Sequence, residues 1–182
     1  MKEVEIKIAI GDVDGVLRQL ENYGCKFSGP MSQTDAVYVP EHINELPCPE
    51  GTNVLRIRHM EGAYKFTLKR SEPGNHLSKI EHELEILQPQ EMEKILHELG
   101  YKQISKISKK RRVCKLEEFE ICIDIVEGLG NFLEMEILTQ EDPAAAQQHM
   151  LAFLRDRGID TSQQAEYGYD VLFFQKYGTR NV

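Results

Sequence analysis

The sequence predicts an antiparallel α+β domain, and three observations predict it. Short segments of strict polar–apolar alternation recur along the chain, as half-buried strands require. Three of them run into a stretch of helical spacing that closes on a glycine. The remaining strands follow one another at hairpin distance, which suits antiparallel pairing rather than helical crossovers.

The first strand is Glu3-Val4-Glu5-Ile6-Lys7, followed by Val13, Val16, Leu17 and Leu20 at helical spacing, with Gly24 as the stop. The same E-apolar-E-Ile pattern returns at Glu83-Leu84-Glu85-Ile86. Pro89 then suits a helix start, Met92, Ile95, Leu96 and Leu99 supply the apolar stripe, and Gly100 closes it. It appears again at Glu134-Met135-Glu136-Ile137, before a helix capped by Asp142, opened by Pro143 and ended at Gly158. This is a loosely repeated unit, too irregular in spacing for a solenoid. Further strands are expected over 36–39, 54–58, 63–70, 105–116 and 119–127, with turn-rich loops at 41–53 and 71–76. A last helix is expected over 168–177, burying Val171, Leu172 and Phe174. About eight strands and four helices fit one domain over residues 1–182.

Composition narrows the functional classes. A hydrophobic fraction of 41% supports a core, and a net charge of -8 argues against general nucleic-acid affinity. No apolar run reaches the roughly 18 residues of a membrane span, and the N-terminal stretch has no signal-peptide core. Cys25, Cys48, Cys114 and Cys122 lack CxxC spacing, so free thiols in a cytoplasmic protein are expected. The histidines show no metal-ligand pairing, so a histidine-held metal is not expected.

Strand parity sorts the remaining charge. Val4, Ile6 and Ile8 share one face, with Glu3, Glu5 and Lys7 on the other. Leu55 and Ile57 oppose Arg56 and Arg58; Phe66 and Leu68 oppose Lys65, Thr67 and Lys69; Leu84 and Ile86 oppose Glu81, Glu83 and Glu85. Ile121, Ile123 and Ile125 oppose Cys122 and Asp124, and Leu133, Met135 and Ile137 oppose Glu134 and Glu136. One reading is a solvated outer face, as antiparallel sheets often present. Against it, the polar face is almost purely ionic, and its signs are segregated by strand. If the sheet closes, these charges line a channel that holds one small ligand. Cations converging beside carboxylates that hold Mg²⁺ or Mn²⁺ suit a triphosphate.

The same residues resemble the CYTH superfamily of triphosphate tunnel enzymes. Glu3-Val4-Glu5-Ile6-Lys7 is similar to its ExExK signature. QTDAVY (33–38) resembles its Q-x-D-x-x-Y strand, LRIR (55–58) its paired arginines, TLK (67–69) its T-x-K strand and KKR (109–111) its later K-x-R. Asp124 with VEGLGNFLEMEI (126–137) resembles the most specific block, and YGYDVLF (167–173) the closing helix. Cys114 replaces the usual Tyr and Gly168 the closing Ser.

The resemblance implies a closed eight-stranded antiparallel β-barrel with helices packed outside. It implies metal binding by Glu3, Glu5, Glu134 and Glu136, supported by Glu81 and Glu83, with Mg²⁺ or Mn²⁺ as cofactor. Lys7, Arg56, Arg58, Lys65, Lys69, Lys109 and Arg111 would grip phosphates, and Asp124 would position a basic neighbour or an attacking water. Glu5, Lys7 and Asp124 are the catalytic candidates. Within Lys109-Lys110-Arg111-Arg112 the sequence leaves open which alternate pair faces inward, and a solvated basic edge is the competing reading.

The implied activity is a class IV-type adenylyl cyclase converting ATP to cyclic AMP and pyrophosphate. A triphosphatase acting on thiamine triphosphate, tripolyphosphate or a nucleoside triphosphate is the alternative, and a non-catalytic polyphosphate binder the reading from another class. The resemblance further implies a homodimer, while net charge and the lack of a long apolar run predict no nucleic-acid or membrane partner.

Overall fold

A computed structural model of the chain describes residues 2–72 and 74–178, excluding the side chains at 72, 75 and 76. The described strands are β1 (Lys2–Ala9), β2 (Met31–Pro40), β3 (Val54–Met60), β4 (Ala63–Glu72), β5 (Asn75–Ile86), β6 (Tyr101–Leu116), β7 (Phe119–Val126) and β8 (Gly130–Thr139). The helices are α1 (Val13–Asn22), α2 (Pro89–Glu98), α3 (Pro143–Asp156) and α4 (Tyr169–Tyr177). The strands form a closed antiparallel barrel in the order β1-β5-β4-β3-β2-β6-β7-β8, as the sequence predicts. None of the described helices is long and apolar enough to cross a membrane.

Helix ends follow the capping residues. Asp12 accepts a hydrogen bond from Gly15 N (2.8 Å), and Asp142 accepts one from Ala145 N (3.0 Å) with Pro143 in the first turn. A Cβ at Gly15 would stand 2.3 Å from the Asp12 carboxylate as it is placed, so a side chain there would make that carboxylate shift.

Several expectations are corrected. The strands on either side of the 71–76 turn are longer than alternation suggested: β4 continues to Glu72 and β5 starts at Asn75, with residue 73 outside the description. The 105–116 strand begins at Tyr101, directly after the Gly100 stop. On α2 the stripe is rotated: Leu96 is buried while Ile95 and Leu99 are exposed. On α4 the buried side is Tyr169, Val171 and Phe173, not Leu172 and Phe174, because Tyr169 and Phe173 stand one turn apart.

By internal packing the chain divides into two compact units, one of Met1–Met31 with Lys109–Glu166 and the other of Ser32–Ser108 with Tyr167–Val182. In the first, Val4, Ile6, Ile8, Ile121, Ile123, Leu133 and Met135 form a core with Leu20 of α1 and Met150, Leu151 and Leu154 of α3. In the second, Tyr38, Leu55, Ile57 and Ile86 pack with Leu96 of α2. Each unit therefore buries the apolar parity of its strands under helices. The charged parity is left on the inner face of the closed sheet.

Candidate active site

In the first unit, register builds a stack of charged rows. Glu5 of β1 lies opposite Glu136 of β8, and Glu136 opposite Glu120 of β7. One row on, Lys7 lies opposite Glu134, and Glu134 opposite Cys122. Arg111 of β6 lies opposite Asp124 of β7.

The lysine and arginine heads meet the second and third rows. Lys7, 1% exposed, donates to Glu134 and stands 3.8 Å from Glu5. Arg111 takes both Asp124 oxygens through Nε (2.8 Å) and Nη2 (2.5 Å), and reaches Glu134 Oε1 at 2.6 Å. Lys109 is 3.4 Å from Asp124. Register thus settles the question left open in the basic run: Lys109 and Arg111 are buried, Lys110 is exposed, and Arg112 donates to the Ser28 carbonyl. Burial opposes ionisation of Glu134, but Arg111, Lys7 and Lys109 outweigh it and hold its carboxyl well below the usual range. Asp124 is lowered in the same way, with Lys109 and Arg111 outweighing burial.

The first row behaves differently. Oxygens of Glu3, Glu5 and Glu136 lie within 4.8 Å of one another. Burial, then Glu3, Glu134, Glu120 and Glu5, push the Glu136 carboxyl up to about 8. Converging carboxylates that repel one another in a half-dry setting are a hard-cation donor set, so the residues fit Mg²⁺ or Mn²⁺. Of the six glutamates predicted for metal, the structure brings these three together. It engages Glu134 with Lys7 and Arg111 instead, and places Glu81 and Glu83 in the second unit.

That second unit has its own ionic ladder across β2, β3, β4 and β5. Asp35 opposes Arg58, Arg58 opposes Lys65 and Lys65 opposes Glu85; Arg56 opposes Thr67 and Thr67 opposes Glu83; Lys69 opposes Glu81. Asp35 accepts two bonds from Arg58, both 2.7 Å. Glu83 accepts from Lys65 (2.8 Å), Thr67 (3.0 Å) and Arg56 (3.4 Å). Lys69 bonds Glu81 at 2.5 Å. Burial raises Glu81 and Lys69 and Arg56 lower it more, leaving it at about 2. The Arg56 Nε is buried and has no hydrogen-bond partner among the described residues, so this guanidinium keeps donor capacity for an anion.

Strand parity sets Cys122 with Asp124 but does not mark Asp35, Glu120 or Gln33 as inner residues. Asp35 clamps Arg58. Glu120 sits beside Glu136 by register, Cys122 is fully buried beside Glu134, and Gln33 is 4% exposed. The signal for Cys122 was its parity with Asp124; Glu120 shares that parity one step earlier in β7.

The comparisons with known proteins enter here. Residues 1–169 match the CYTH domain family. A Methanocaldococcus jannaschii protein, MJ0240, named as a candidate adenylate cyclase, is 37% identical over 141 residues, covering 75% of this chain and 77% of its own. A conserved hypothetical protein of Pyrococcus furiosus superposes with a TM-score of 0.77 at 27% identity, over 92% of this chain and 98% of that one. The Hippeastrum protein HpAC1, described as a candidate adenylyl cyclase with a dominant triphosphatase activity, superposes with a TM-score of 0.62 at 16% identity, over 100% of this chain and 99% of that one.

Proposed function

Because the chain belongs to the CYTH family, we propose that it is a divalent-metal-dependent enzyme that cleaves a triphosphate, of class IV adenylyl cyclase type. The observation that carries this reading is the burial of Lys7, Lys109 and Arg111 among carboxylates on the strand face turned away from α1 and α3. A sheet face serving only solubility has no reason to bury cations in ion pairs, where desolvation offsets most of the attraction. A bound polyanion supplies that reason.

In this reading Glu3, Glu5 and Glu136 hold Mg²⁺ or Mn²⁺. Such an ion neutralises phosphate charge and lets a polyanion share the site with acids. In the first unit Lys7, Lys109 and Arg111 are the residues that receive phosphate oxygens; in the second unit Arg56, Arg58, Lys65 and Lys69 are, the arginines in bidentate fashion. Asp124 fixes the plane of Arg111 and keeps it charged. Glu134 spaces Lys7 from Arg111, so its role is to hold cations in position rather than to carry metal. Glu81 and Glu83 hold Lys69, Lys65 and Arg56 in the same way. Catalysis by such a constellation rests on positioning and charge neutralisation, with no covalent nucleophile. The cysteines, all free thiols, are consistent with a cytoplasmic setting.

Hydrolysis is the second reading, favoured by the triphosphatase activity described for the Hippeastrum structure. Incubation with Mn²⁺ and either ATP or tripolyphosphate, followed by phosphorus NMR, separates the two. Cyclic AMP with pyrophosphate is the expected result, orthophosphate release supports the second reading, and binding without turnover would overturn both.

A further inference from the structure

Gln33 lies on the inner face of β2, two residues before Asp35, and is 4% exposed. Its amide Nε2 donates to the thioether of Met60 at 3.1 Å, its register partner on β3. Its carbonyl Oε1 is buried and has no hydrogen-bond partner among the described residues. The amide orientation is chemically fixed, because a thioether sulfur only accepts and a flipped amide would set two acceptors against each other. A buried acceptor without a donor costs stability, and such groups in native proteins call for an explanation. Ser105, 2% exposed on the neighbouring strand β6, carries a second buried oxygen without a partner. Gln33 shares its strand parity with Asp35, which holds Arg58 on β3.

An acceptor offers nothing to ionised phosphate oxygens, which are themselves acceptors. What it takes is a donor, an O–H or an N–H. We infer that Gln33 Oε1 accepts a hydrogen bond from the hydroxyl nucleophile that attacks the triphosphate, orienting its lone pair at phosphorus. This rests on the triphosphate-cleaving reading above and adds the residue that directs the attack. The hydroxyl is water in hydrolysis or the ribose hydroxyl in cyclisation; in either case the new P–O bond forms as the phosphoanhydride P–O bond breaks, and the proton passes to an oxygen of the departing diphosphate. Arg58, clamped by Asp35 next along the strand, faces the anion while Gln33 faces the nucleophile.

The test uses the full chain and the near-isosteric Gln33→Met variant, assayed with Mn²⁺ on ATP and on tripolyphosphate, with thermal unfolding measured in parallel. The expected result is a fall in kcat of roughly 100-fold with KM within about twofold, and a Tm equal to or above that of the parent, since an unsatisfied buried group has been removed. Loss on tripolyphosphate as well as ATP identifies the hydroxyl as water. Loss of cyclic AMP formation alone identifies it as the ribose hydroxyl. An unchanged kcat, a rise in KM alone, or a clear drop in Tm overturns the inference while leaving triphosphate cleavage intact. A parent protein that turns over neither substrate overturns both.

Discussion

Arg111 spends three hydrogen bonds on two carboxylates inside the barrel, and its own charge is held firmly on by Glu134 and Asp124 against the cost of burial. Breaking such a buried set leaves uncompensated charge behind. Arg111→Met is therefore expected to cost about 3–5 kcal/mol of stability, read as a lower urea midpoint. Glu81 sets the acid limit. Its folded carboxyl titrates near 2 against an ordinary value of 4.5, so the stability it contributes is present above pH 4.5 and is lost as pH falls from there towards 2. The stability difference between the parent and Glu81→Gln should shrink over that window in denaturation curves taken at successive pH values. A constant difference would show that Lys69 does not hold it ionised. Glu136 works in the opposite sense. With its carboxyl pushed up to about 8, a cation must displace its proton at neutral pH, so Mn²⁺ affinity should climb up to tenfold per pH unit and level off above 8. Calorimetry in two buffers of different ionisation heat would register the released proton. A pH-independent affinity would remove Glu136 from the cation site.

At the scale of elements, α1 shows how local chemistry is written. Alanine outranks glycine as a helix former by about 1 kcal/mol, and the new Cβ in Gly15→Ala would displace the Asp12 carboxylate, weakening a cap worth about the same amount, so the variant is expected to be nearly as stable as the parent. A higher Tm for this variant would show that the cap contributes little. The strands were the most legible elements, since parity alone placed Arg56, Arg58, Lys65, Lys69, Glu134 and Glu136 on one face and their apolar neighbours on the other. Pairing was not legible. Which carboxylate meets which cation depends on register between strands far apart in sequence, as with Lys7 and Glu134. For that reason six glutamates looked alike as metal ligands, while in the structure Glu134, Glu81 and Glu83 accept hydrogen bonds from lysines and arginines. The rotated stripe of α2 has the same origin: Ile95, Leu96 and Leu99 fit one helical period, and only packing against Leu55 and Ile57 decides that Leu96 turns inward. Gln33 stood in the Q-x-D-x-x-Y resemblance, but nothing in its local sequence marks an amide whose carbonyl lacks a donor.

For the whole molecule, a net charge of -8 and an anionic substrate are reconciled by sorting. Carboxylates on the inner strands either hold a cation side chain in place or gather at Glu3, Glu5 and Glu136, where a metal reverses the local field. The outer parity of the same strands makes the cores under the helices. Closure of the sheet is what separates the two faces, and it was foreseen from the alternation together with the family resemblance. The central claim is that the inner cations are built for a chain of phosphates. Equilibrium binding of a non-hydrolysable ATP analogue and of AMP, with Mn²⁺ present, to the parent and to Arg56→Ala tests it most directly. The account predicts that Arg56→Ala weakens the triphosphate at least about tenfold and leaves the monophosphate nearly unchanged. Equal losses for both ligands, or none for either, would contradict it.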